Sequence, residues 1–199
     1  MSPTRWYWLF CDSVVDDRNW ILYSFLDRVR LRDRYIDFQC KKCKKVDEVA
    51  ALRSGIADNI ELRSRYDLFR SQDDVLCASA RVVEAFRKHR ISGISRLSMP
   101  CGKYFVMLPQ RRAEVTDCSS AGMRVFRPCE SCGRPRELKG KPCRAQVTLP
   151  ARSTQCAMLW PSLETTRGRS FSLIISELTR NVLVDARFRS PRIHFREVL

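Results

Sequence analysis

With 199 residues, 44% apolar and 30% charged, the chain can bury a core and has the make-up of a globular protein rather than a disordered one. A net charge of +15 and a pI near 9.8 suit nucleic acid, an anionic membrane surface or an acidic protein, and name none of them. No run approaches the ~20 apolar residues of a membrane-spanning helix, which excludes that class.

The N-terminal stretch predicts antiparallel strands. Trp6, Trp8 and Phe10 alternate, Trp20–Phe25 is apolar, and Tyr35–Phe38 leads into a first cysteine pair, Cys40 and Cys43. "VDEVAALRSG" at 46–55 reads as a short helix stopped by Gly55. Beyond it, Val75–Ala78 reads as a strand and Ser79 as the cap of a helix whose Val82, Val83 and Phe86 share one face. Gly93 turns the chain into a strand at Ile94–Leu97, and "GKYFVMLP" at 102–109 predicts another. "DCSSAG" at 117–122 reads as a loop, and the Pro-, Ser-, Thr- and Arg-rich stretch 139–170 as irregular.

The C-terminal end repeats the scheme. Phe171–Ile175 reads as a strand, Ser176 as a cap, and Leu178, Val182 and Leu183 as one helix face. Pro191 marks a turn into a last strand, Ile193–Phe195. Each strand-helix-strand element follows a CxxC pair, so two degenerate copies of one unit are expected in an α+β fold. Residues 1–110 would form an N-terminal unit with the first pair, and residues 111–199 a C-terminal unit with the second, packed as one structure.

"CESCG" at 129–133 supplies that second pair. A tetrahedral zinc site needs four thiolate or imidazole ligands, and a CxxC knuckle offers two from one tight turn. The leading expectation is one structural zinc held by Cys40, Cys43, Cys129 and Cys132, with paired units bringing the knuckles together. Other arrangements use the same residues. Cys129, Cys132 and Cys143 with one more ligand would make a local site, a redox dithiol would need a depressed thiol pKa, and pairs without metal would pack as small apolar residues. Cys11, Cys77, Cys101, Cys118 and Cys156 stand singly and read as ordinary thiols. Ten cysteines in a chain that reads as cytoplasmic point to ligands and core residues rather than disulfides.

An enzyme is not expected. The two histidines have structural readings, His89 at a helix end and His194 on a strand surface. Asp16 with Asp17, and Asp73 with Asp74, are adjacent and read as turn residues. No nucleophile elbow, zinc-protease helix, phosphate loop or kinase signature is present. Nucleic acid remains an alternative partner through "CKKCKK" and the basic surface, as a zinc-ribbon-type binding protein without sequence preference.

"CESCGRP" and the terminal "SLIISELTRNVLVDARF…IHFREVL" resemble the bacterial double-CXXCG motif proteins, a family abundant in myxobacteria. "VLCASARVVEAFRKHRISGI" resembles the family's corresponding middle segment, so the likeness spans Cys40 to Leu199. Lys44 stands where a glycine would follow the first pair, a departure from the pattern. The resemblance implies a non-catalytic immunity protein that binds and neutralises a cognate toxin. It carries the metal ligands over to Cys40, Cys43, Cys129 and Cys132 alone. Given that role, the +15 charge predicts an acidic toxin surface.

Overall fold

The computed structural model describes residues 5–11, 21, 35–44, 46–56, 60, 62–72, 75–110, 112–117, 124–132, 135–139, 146–148, 156–160 and 172–198. These form an α+β structure of twelve strands in three sheets, with three α-helices. In chain order the strands are β1 (Trp6–Cys11), β2 (Leu68–Arg70), β3 (Leu76–Ser79), β4 (Ile94–Ser98), β5 (Tyr104–Pro109), β6 (Arg112–Asp117), β7 (Arg124–Pro128), β8 (Pro135–Lys139), β9 (Gln146–Thr148), β10 (Cys156–Trp160), β11 (Ser172–Ser176) and β12 (Ile193–Val198). The helices are α1 (Glu48–Arg53), α2 (Ala80–Lys88) and α3 (Glu177–Asp185). One sheet runs β12-β1-β11-β10-β6-β9, a second β2-β3-β5-β4, and β7 pairs with β8 alone.

Two copies of one topology sit inside this arrangement. In the first, β3 leads through α2 to β4, and β5 lies between β3 and β4, antiparallel to both. In the second, β11 leads through α3 to β12, and β1 takes the middle place, again antiparallel to both. The N-terminal strand is therefore antiparallel as expected, but its partners come from the far end of the chain. The registers correspond residue for residue. Ser79 faces Tyr104 as Ser176 faces Trp6, and Ile94 faces Pro109 as Ile193 faces Cys11. On the outer side Leu68 faces Ala78 as Cys156 faces Ile175.

The copies exchange equivalent hydrogen bonds. The Leu68 amide donates to the Arg189 carbonyl at 3.2 Å, and the Cys156 amide to the Ser92 carbonyl at 3.1 Å. Between them lies a shared core of Tyr7, Leu9, Leu76, Val82, Phe86, Met107, Leu173 and Leu183. A second core, on the opposite face of β2-β3-β5-β4, packs Phe69, Cys77, Val106 and Leu108 against Tyr35, Ala51 and Leu52. Residues on both sides of the first cysteine pair pack into or against that core, Tyr35 and Phe38 before it and Val46, Val49, Ala51 and Leu52 after it.

Several expectations change. Ile36–Phe38 is a turn of 3-10 helix rather than strand, closed by Phe38 N–H to Tyr35 O and Gln39 N–H to Ile36 O, each 3.0 Å. The chain must reverse into the knuckle there, and local bonds satisfy the backbone where no sheet partner lies. The stretch expected to be irregular contains β9 and β10; β9 pairs with β6, which precedes the second cysteine pair, and β10 with both β6 and β11, the next strand in the chain. Leu178 points outward and Thr179 takes its buried place, while Val182 and Leu183 are buried as expected. Ser176 caps α3, its hydroxyl accepting from the Thr179 amide at 3.3 Å. Ser79 occupies the same position on α2 but donates its hydroxyl to Asp67 at 2.8 Å. Except for buried Ile21, the expected strand at 20–25 lies outside the described residues, as do Asp16, Asp17, Asp73, Asp74, Cys118 and Cys143. Among the described residues no helix is long and apolar enough to cross a membrane.

Candidate metal centre

Both cysteine pairs sit on knuckles of the same construction. The first is closed by an isolated bridge between Gln39 and Val46, the second by the pairing of Pro128 with Pro135 at the end of β7-β8. In each, the cysteines occupy the turn between the paired residues. Lys44 adopts φ 63, the left-handed conformation in which glycine is unstrained. Its amide donates to the Cys40 carbonyl at 2.8 Å, and its carbonyl accepts from Gln39 Nε2 at 2.7 Å. These bonds hold a lysine in a left-handed geometry that glycine would adopt without strain.

The structure brings the four expected cysteines together. Cys40 Sγ lies 3.8 Å from Cys129 Sγ, and Cys43 Sγ lies 3.6 Å from Cys132 Sγ. All four sulfurs fall within 4.8 Å of one another. Zinc–sulfur bonds of about 2.3 Å in a tetrahedron put neighbouring sulfurs about 3.8 Å apart, so the set could hold a metal ion. The short contacts join first cysteine to first and second to second across the two knuckles. That is the pairing expected if a local two-fold relates them. Among the described residues this is the one group of His, Cys, Asp or Glu arranged to hold a metal.

The knuckle backbone prepares the thiols for a cation. The Cys40 thiol is held down to about 6, chiefly by the backbone N–H groups of Cys43 and Lys42, against the opposing effect of desolvation. Cys129 is lowered in the same way by the N–H groups of Cys132 and Ser131. N–H groups directed at a sulfur favour its anionic form, which is the form that ligates metal. Cys156 shows the contrast: burial pushes its thiol up to about 12. It is a core residue beside Thr179, as its solitary position in the sequence predicts. Cys11 and Cys77 are buried too, and Cys101 is half-buried.

A pair of residues outside the sequence-level expectations joins the knuckles. Lys42 Nζ on the first forms an ion pair with Glu130 Oε2 on the second, while Lys41 and Lys44 stay exposed. Nothing in the spacing of Lys42 and Glu130 signals that contact; it follows from the docking of the knuckles. Asp67 was equally silent in the sequence. Its buried carboxylate accepts from Ser79 Oγ (2.8 Å), Arg81 (2.8 Å) and the Arg189 amide (3.0 Å), linking the first copy to the loop after α3. His89 lies at the C-terminal cap of α2 and His194 is exposed on β12, far from any such cluster in the sequence and each in the position expected of it.

No family model, no curated protein and no solved structure matches this chain.

Proposed function

We propose that this chain is a non-catalytic immunity protein of the double-CXXCG type, which binds a cognate toxin in the cytoplasm and is tied together by one structural zinc. The observation that carries the reading is the meeting of four sulfurs from two knuckles that are far apart in sequence. Four thiols fill a tetrahedral zinc and leave no open position for substrate or water, which favours a structural over a catalytic metal. Residues Cys40, Cys43, Cys129 and Cys132 would hold it, and the metal would lock the N-terminal knuckle to the C-terminal one. The immunity role is supported by the resemblance of "CESCGRP" and the α3-β12 segment to that family.

Two measurements test the two parts. Metal analysis with thiol counting should find about one zinc per chain. Chelation should expose those four cysteines to alkylation while Cys156 stays protected. Absence of metal from protein prepared without chelator or histidine tag would defeat the zinc assignment. Co-expression with the toxin encoded beside the gene should restore growth, and unrestored growth would defeat the immunity assignment.

The exposed Lys41 and Lys44 at the knuckles favour one alternative, a zinc-ribbon-type protein that holds nucleic acid through its backbone. Affinity for single-stranded RNA or DNA that falls steeply with salt, without protection against any toxin, would select that reading.

A further inference from the structure

The matched copies provide an internal standard for the surface of α3. Counted from their caps, α2 and α3 have the same alternation of buried and exposed positions: Val82 and Thr179 are buried, as are Phe86 and Leu183. Besides Ala80, the outward positions on α2 are Arg81, Glu84, Arg87 and Lys88. Their equivalents on α3 are Leu178, Asn181, Val184 and Asp185. Solvent tolerates the charged set at no cost, and Glu84 pairs with Arg87 at 2.7 Å. On α3 the same places leave Leu178 46% and Val184 47% exposed. Two of the exposed large apolar side chains of the described residues thus lie on the outward arc of one helix, about 120° apart around its axis on either side of Asn181.

The charges around them differ too: Asp185 stands where α2 has Lys88, Glu177 where it has Ala80, and Arg180 turns away over the rings of Tyr7 and Phe195. Glu177 and Asp185 flank the apolar pair, while the chain as a whole carries +15. A second copy of this chain fits the face poorly. Antiparallel pairing about Asn181 would set Leu178 against Val184 but Glu177 against Asp185, acid against acid. Long-range steering belongs to the net charge, which attracts an acidic partner beyond about one Debye length, ~10 Å. Close contact is decided by the local groups.

We infer that the outward face of α3, centred on Leu178, Asn181 and Val184, is a docking surface for a protein partner that presents an apolar recess rimmed by lysine or arginine. The inference rests on the reading that this chain acts by binding a protein, and gives that contact a place. Leu178 and Val184 fill the recess, and Glu177 and Asp185 meet the basic rim. The net charge of +15 disfavours the rim in other orientations, so one face combines attraction with a penalty for misdocking.

The test uses the full chain labelled with nitrogen-15 and three synthetic peptides: an amphipathic leucine–lysine helix, a leucine–glutamate helix of the same pattern, and a lysine–serine peptide. The leucine–lysine helix should shift the amides of 177–187 in spite of the like net charge, and the lysine–serine peptide should not. Substituting Leu178→Ser with Val184→Ser should weaken that binding at least tenfold, whereas Arg87→Ser with Lys88→Ser on α2 should leave it unchanged. Shifts located away from α3, unaltered affinity of the Leu178/Val184 variant, or equal binding of the leucine–glutamate helix at α3 would overturn the inference. So would a concentration-dependent dimer that the same variant abolishes, since a second copy would then cover the face. Peptide binding at α3 without toxin protection would leave the surface and remove the immunity reading. Toxin protection that survives Leu178→Ser with Val184→Ser would remove the surface and leave the reading.

Discussion

The two strand-helix-strand copies share their register and differ in how they are completed. The first takes its middle strand, β5, from the chain immediately after β4; the second takes β1 from the opposite terminus. A local strand closes the first copy by itself, with Ser79 recruited into the Asp67 network. The second copy is closed only when residues 6–11 insert between β11 and β12, and its helix start uses the serine as a cap instead. Equivalent backbone geometry is thus reached with different side-chain support. The comparison separates what the topology demands from what each surface does.

The largest effect should come from the link between the copies. On the zinc reading, Cys129→Ser removes one of the four thiols that would hold the metal, and bound metal contributes on the order of 10 kcal/mol to folding in small zinc domains. Loss of the metal together with the cooperative melting transition is expected in calorimetry, and full metal retention would show that another residue ligates. Next come equivalent core positions. Phe86→Ala and Leu183→Ala each empty a buried site in the shared core and should each cost about 3 kcal/mol by urea unfolding. A cost confined to one of them would show that the copies do not unfold together.

Asp67→Ala strikes a network that ties the first copy to the loop after α3. It leaves the Ser79 hydroxyl, Arg81 and the Arg189 amide without their shared acceptor, and about 2 kcal/mol should be lost. The cap of the second copy is a smaller support: Ser176→Ala should cost about 1 kcal/mol, readable as a lowered melting temperature. The knuckles offer the finest comparison. Lys44→Gly makes the first knuckle read as the second does after its cysteine pair, and relief of the positive φ should raise stability by about 1 kcal/mol. No gain would mean that the Gln39 bond already offsets the strain.

Much of the candidate site was legible because its signal is local. Two cysteines at CxxC spacing define a knuckle wherever they occur, and Ser79 and Ser176 before apolar helix faces mark two helix starts. The misread segments share the opposite property. Tyr35–Phe38 has the composition of a strand, but a strand needs a partner, and among the described residues none pairs with it. Residues 146–148 and 156–160 look too interrupted to pair, yet β6 and β11 supply the bonds. Leu178 counts as apolar in any periodicity analysis, and only the packing shows that Thr179 takes the buried place.

By itself, then, the sequence determined two helix starts, the repeated order of strand, helix and strand, and the residues chemically able to ligate a metal. Each of these is a matter of neighbours within a turn or two of chain. The tertiary structure alone decided that β1 completes the C-terminal copy, that Cys40 meets Cys129 and Cys43 meets Cys132, and that one of two matching helices exposes leucine and valine. Those are contacts between residues distant along the chain. Their selection depends on register, burial and charge in three dimensions, which local pattern does not encode.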